Sequence, residues 1–203
     1  MNVGFRALAV CLMLFLPLRP GIAAEVGPGQ VVDRLHLALL DVMKRAGELG
    51  YQGRSALLTP VVESSFDFPT IARIVMGRHW AGLGNEEQQA FLKTFSRLST
   101  ATYAARFDSY GGEDFRLVAE EPQKDKILVR SELVKADGSV VKFDYLVHPG
   151  KDGGWLIVNV IADGVSDLSV KRADYTTILK NEGYAALIAK LNDKIAQYEE
   201  PGR

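Results

Sequence analysis

Three histidines, His36, His79 and His148, are the side chains best suited to bind a metal or move a proton near neutral pH. They lie tens of residues apart, so no ligand set sits on one turn or one helix face. Structural or surface roles are expected for all three. A carboxylate aimed into a cavity can serve as general acid or base. Asp144, however, shares a strand face with Lys142, the pattern of a solvated surface. Asn159 shares parity with Trp155 and Ile157 and is expected to face inward as a satisfied buried amide. Thr94, Ser96, Ser99, Thr100 and Thr102 crowd one helical stretch with no base at helical spacing, so none is assigned as a nucleophile. No phosphate loop, dinucleotide fingerprint, zinc motif or nucleophile elbow is present.

The elements that must position these groups are readable from periodicity. Val31, Leu35, Leu39 and Val42 recur at helical spacing to about Leu49, with Gly50 and Gly53 expected to stop that helix. A short helix is expected from Arg54 to Val62. Asp67 can cap the next one, with Pro69 in its first turn, running to Gly77-Arg-His-Trp80. Asn85-Glu-Glu-Gln88 reads as a capping box opening the longest helix, to about Tyr110. Phe91, Phe95, Leu98 and Thr102 form one stripe of it, and Phe95, Ser99, Tyr103, Phe107 and Tyr110 its neighbour. A stripe that wide and aromatic faces a sheet or a cavity.

Gly111-Gly112 marks the change to strand. Strands are expected at Phe115–Val118, Ile127–Lys135, Val140–Val147 and Trp155–Ile161. Asp137-Gly138 and Asp152-Gly153 are hairpin signals between them. Val141, Phe143, Tyr145 and Val147 share the face that helices would cover. Asp163-Gly164 is expected to end the sheet. A helix follows from Asp167 to Lys180, then Gly183, then an amphipathic last helix carrying Tyr184, Leu187, Ile188, Leu191, Ile195 and Tyr198. The predicted class is α+β, a four-stranded antiparallel sheet wrapped by helices.

A length of 203 residues, 47% hydrophobic and 24% charged, is that of one globular domain with an N-terminal tail. A net charge of −1 offers no basic excess for nucleic acid. Arg6 precedes an apolar run from Ala7 to Leu16, and Gly21-Ile-Ala-Ala24 supplies small residues for cleavage. Residues 1–24 therefore read as a signal peptide and 25–203 as one exported domain. Cleavage would remove Cys11, the only cysteine, leaving the domain to be held by its core alone. Phe95, Tyr103, Phe107, Phe143, Tyr145 and Trp155 then make an aromatic-rich interior. Packed core is the simpler reading of that set and pocket lining the alternative, since both give the same periodicity.

Four segments carry a resemblance: Phe66-Asp-Phe68 with Ile71-Ala-Arg-Ile-Val-Met-Gly-Arg-His-Trp80; Glu86-Glu-Gln-Gln-Ala-Phe91 continuing through Phe95, Leu98 and Tyr103; Trp155-Leu-Ile-Val-Asn-Val160 with Asp163-Gly-Val-Ser166; and Lys171-Arg172, Tyr175, Ile178-Leu179, Gly183, Leu187-Ile188 and Leu191. In order and spacing, over about residues 30 to 195, they resemble the periplasmic phospholipid-binding protein family of the Mla lipid-transport pathway (the MlaC or toluene-tolerance family). His79, Asn159 and Lys171 depart from its commonest pattern, which points to a divergent branch similar to the one associated with hopanoid biosynthesis (HpnM). The resemblance implies a cystatin- or NTF2-like sheet wrapped by helices around an apolar cavity. It also implies a bound lipid as cargo, phospholipid or hopanoid, with no cofactor, no metal and no catalysis. The implied partners are an inner-membrane ABC transporter with an MCE-domain protein and an outer-membrane lipoprotein complex.

Sorted by that resemblance, the inward-facing residues expected to line the lipid site are Ile71, Ile74 and Val75, then Phe95, Tyr103 and Phe107. The sheet adds Phe143, Tyr145, Val147, Trp155 and Ile157, and the penultimate helix Ile178. Each buried methylene of an acyl chain stabilises the complex by about 0.8 kcal/mol, so such a site needs no charged groups for affinity. Two other readings are weighed. One is a small-molecule enzyme on a ketosteroid-isomerase-like cone, using Asn159, Tyr145 or Tyr103. The other is a structural envelope protein that docks partners through apolar surface.

Overall fold

The computed structural model describes residues 27–200. Residues 1–26, and with them the expected signal peptide and Cys11, lie outside the described residues. Helix α1 (Pro28–Lys44) has proline in its first turn, where a missing N–H costs nothing, and buries Val31, Val32, Leu35, Leu39 and Val42. It ends at Arg45 rather than Leu49. Helix α2 (Ala46–Ser65) is kinked at Gly50, where φ is 56°. Gly53 lies within it, and the Leu49 side chain packs 3.0 Å from where a Cβ would stand. Arg54, buried at 7% exposure, donates from Nε to the carbonyl of Ala104 at 2.9 Å. That satisfies an end carbonyl of the long helix.

Helix α3 (Phe68–Met76) is capped by Asp67, whose carboxylate accepts from Thr70 N–H at 2.9 Å. A 3-10 helix over Gly77–Gly82 follows. Helix α4 (Asn85–Arg106) starts one residue earlier than predicted. Gly84 N–H donates to the Glu87 carboxylate at 2.9 Å, which is the half of a capping box that a glycine permits. The helix stops at Phe107, not Tyr110. Phe107 turns its ring into the interior, while Tyr110 lies exposed under the ammonium of Lys44.

The sheet is an antiparallel meander in the order β1-β2-β3-β4-β5. Its strands are β1 (Asp114–Gln123), β2 (Lys126–Val134), β3 (Val140–Pro149), β4 (Trp155–Ala162) and β5 (Val165–Ser166). The described residues form five strands rather than four. Asp163 and Gly164, with φ of 46° and 83°, form a tight hairpin turn that pairs Ala162 with Val165. Strand β1 outruns its predicted end because Glu121 is held by a two-pronged ion pair to Arg130 on β2, at 2.6 and 3.0 Å. Helices α5 (Asp167–Asn181) and α6 (Tyr184–Glu199) close the chain. Helices α1, α2, α3 and α5 pack on the sheet, while α4 packs against α2, α3 and α6. The α+β class is as predicted.

Candidate functional site in the aromatic interior

The interior between helices and sheet is one apolar cluster. Of the twelve residues expected to line a site, Ile71, Val75, Phe95, Phe107, Tyr145, Val147 and Ile157 are buried in it. Tyr103, Phe143, Trp155 and Ile178 are half-buried against it. Ile74 is half-buried on α3 and lies outside the cluster as found among the described residues.

The rings form an unbroken series. Trp80 meets Phe91 edge-on at 6.2 Å, and Phe91 stacks on Phe95 at 5.5 Å. Phe95 meets Phe68 at 5.8 Å, Phe68 meets Phe66 at 5.9 Å, and Phe66 meets Tyr103 at 6.1 Å. Tyr103 meets Phe107 at 5.9 Å, Phe107 meets Phe115 at 6.2 Å, and Phe115 meets Phe143 at 6.2 Å. The series crosses from the helical layer to the sheet. Each contact lies in the range where offset or edge-to-face rings attract, by about 0.5–1.5 kcal/mol beyond area burial. Five of these residues, Trp80, Phe66, Phe68, Phe91 and Phe115, fall outside the twelve. The Phe91/Phe95 spacing of four was the signal for one of them. Phe66, Phe68 and Phe115 sit at element ends, where periodicity has no window.

Polar atoms are few inside. His36 Nε2 lies 3.0 Å from the Tyr145 hydroxyl, and its ring stacks on Phe115 with centroids 4.0 Å apart. Burial pushes the His36 pKa down to about 3, so the imidazole is neutral here. Burial likewise raises the hydroxyl pKa values of Tyr145 and Tyr103. The fully buried polar residues among those described are His36, Arg54, Ser65, Thr100 and Ser131, with no carboxylate among them.

Asn159 does not face inward as predicted. Strand β4 carries a bulge at Val158, since Val147 pairs with Ile157 but Leu146 pairs with Asn159. One extra residue reverses the parity, so Val160, opposite Tyr145, takes the inward side. The Asn159 amide instead exchanges hydrogen bonds with the Ser166 hydroxyl at 3.0 and 3.2 Å, and it accepts from Leu168 N–H at 3.1 Å. Its role is to fasten the start of α5 to the sheet. Asp144 pairs with Arg130 at 2.9 Å on the outer face. His148 Nε2 meets the Asp67 carboxylate at 2.8 Å, tying β3 to the cap of α3. The largest single influence on Asp67, burial, would raise its pKa. The hydrogen bonds from Thr70 and His148 outweigh it, and the pKa is lowered.

Among the described residues no group of three or more His, Cys, Asp or Glu could hold a metal ion. Among the described residues no helix is long and apolar enough to cross a membrane. What remains is a packed, hydrocarbon-like layer between the helices and the sheet.

Known proteins match this architecture. The curated relative named intermembrane phospholipid transport system binding protein MlaC, from Haemophilus influenzae, is 25% identical over 127 residues, 61% of this chain. The match spans 59% of that relative's length. A solved structure of the phospholipid-binding protein from Ralstonia solanacearum, in complex with a phospholipid, superposes with a TM-score of 0.72 at 22% identity. It covers 85% of this chain and 96% of that one, a likeness of fold. The family model described as MlaC protein matches residues 33–193, and with that span the chain belongs to the MlaC family.

Proposed function

We propose that this protein is a periplasmic lipid carrier and not an enzyme. Its cargo is a phospholipid or a hopanoid-type lipid, received and delivered between an inner-membrane ABC transporter bearing an MCE-domain protein and an outer-membrane lipoprotein complex. The observation that carries the reading is the ring series from Trp80 to Phe143, which joins the helical layer to the sheet through apolar contacts. Acyl chains can replace those contacts with little loss, because one apolar surface exchanges for another. Family membership and the named relatives point the same way. The Ile71, Val75, Phe95, Tyr103, Phe107, Phe143, Tyr145, Val147, Trp155, Ile157 and Ile178 side chains are the proposed contacts, with Ile74 at the rim.

The rings touch one another, so cargo must part the helices from the sheet. That close packing also favours a second reading, a structural envelope protein that docks partners through exposed apolar residues such as Val165 and Val170. Native mass spectrometry of the purified chain, followed by lipid extraction, separates the two. A lipid bound at one per protein supports the carrier and names the cargo. A lipid-free protein that takes up nothing from vesicles supports docking.

A further inference from the structure

A second hollow has a different chemistry. A pocket of about 460 Å³ opens between the 3-10 helix and α5, with Gly77, Arg78 and His79 on one wall and Arg172, Thr176 and Lys180 on the other. The α5 residues recur at intervals of four, so they form one stripe of the helix. Among the described residues no carboxylate lines the pocket. Among the described residues Arg78, Arg172 and Lys180 make no ion pair. Three like charges around one concavity repel, and an anion between them relieves that repulsion. Arginine in particular presents a fork that matches phosphate oxygens.

The position matters as much as the charge. Each wall is one residue removed from the aromatic interior. Met76, fully buried, precedes Gly77. Tyr175 precedes Thr176 and sets its ring edge-on against Phe91 and Phe95 at 6.3 and 6.1 Å. At Gly77, with φ of 55°, a Cβ would stand 3.6 Å from Thr176 Cγ2 and 3.9 Å from an Arg172 guanidinium nitrogen, so the two walls meet over this glycine. The cationic pocket therefore sits over the α3–α5 seam.

We propose that this pocket binds the phosphate ester of a lipid head group whose acyl chains enter the interior through the α3–α5 seam. The proposal rests on the carrier reading and assigns it a phosphate-bearing cargo. The same chemistry would take free phosphate, so the test has separate arms.

Delipidated full chain is offered equimolar phosphatidylglycerol and a diacylglycerol with identical acyl chains in mixed micelles, and the bound species are counted by native mass spectrometry. The comparison variant is the double substitution Arg172→Gln and Lys180→Gln, both exposed, with folding checked by circular dichroism. Wild type should prefer phosphatidylglycerol, and the variant should lose about tenfold of that preference while binding diacylglycerol as before. Diacylglycerol uptake without any phosphate preference, or a preference unchanged in the variant, overturns the head-group site and leaves the carrier intact. Failure of wild type to bind either lipid overturns the carrier reading, and the lipid assignment falls with it. In the last arm, inorganic phosphate is titrated while the amide signals of Gly77 and Thr176 are followed. Strong binding there, with no lipid preference, would make the pocket a free-anion site and reject the head-group assignment.

Discussion

His36 on α1 and Tyr145 on β3 meet at 3.0 Å between the helical layer and the sheet, at 2% and 1% exposure. The pair gives each buried polar group its partner and fixes the sideways position of α1 on the sheet. Tyr145→Phe leaves the imidazole nitrogen unmatched and should cost about 1–3 kcal/mol in urea unfolding. The double variant His36→Phe with Tyr145→Phe removes both polar atoms and keeps the stack on Phe115. It should be more stable than the Tyr145→Phe single variant.

The same pair makes stability depend on pH. The His36 pKa falls from 6.5 in the unfolded chain to about 3 in the folded protein, because burial disfavours the cation. Its contribution is complete above pH 6.5 and is lost as the pH falls from 6.5 toward 3, where only the unfolded chain takes up the proton. At about pH 4.5 the loss reaches about 3 kcal/mol. Urea midpoints at neutral and acid pH should therefore converge in the double Phe variant, relative to wild type. An identical acid sensitivity would mean that His36 titrates normally.

Asn159 should matter for folding and not for cargo. Asn159→Leu removes its bonds to Ser166 and Leu168 and should cost about 1–2 kcal/mol. Asn159→Asp keeps an acceptor for Leu168 N–H and sets a negative charge at the start of α5, so it should be tolerated. Lipid uptake by the Asp variant should equal that of wild type, and a loss of uptake at unchanged stability would return Asn159 to the interior.

The contrast between β3 and β4 explains what the sequence discloses. Strand β3 has no bulge of its own, so strict alternation places Val141, Phe143, Tyr145 and Val147 on one face, as observed. Strand β4 is apolar on both faces, so nothing in its residue types marks the extra residue at Val158, and parity fails beyond it. Helix ends shift for the same kind of reason. Phe107 ends α4 because its ring is wanted against Phe115, a tertiary demand that helical spacing does not contain. Arg78 and Arg172 lie nearly a hundred residues apart in the chain and meet through the α3–α5 packing, which a local reading cannot supply. The interior, by contrast, was legible because most of its residues repeat at helical or strand periods.

Phe143 tests whether the interior is lining or core. It is half-buried on β3, in contact with Phe115 at the sheet end of the ring series. Phe143→Asp should leave a folded protein that copurifies with markedly less lipid, since the carboxylate disfavours an acyl chain beside it. Loss of the cooperative unfolding transition in this variant would make Phe143 core and remove it from the site.

The final prediction concerns which seam opens. Helix α1 is pinned by His36 to Tyr145. The start of α3 is pinned twice, by Asp67 N–H donating to the Ile157 carbonyl at 3.0 Å and by His148 meeting the Asp67 carboxylate at 2.8 Å. Helix α5 buries only Tyr175 and Leu179 in fifteen residues, and its bond to the sheet is at its beginning, through Asn159 and Leu168. Few buried apolar contacts mark the segments that open at low free energy. Helix α5 should therefore swing from α3 about residues 166–168, exposing the rings of Phe91 and Phe95 behind Tyr175. Amide exchange over Tyr175–Lys180 should slow when lipid is bound, while α1 and β3 stay unchanged. Equal exchange across the α3–α5 seam with and without lipid would sink the idea of a moving α5, and slowing confined to α1 would place the entrance at the opposite side of the sheet.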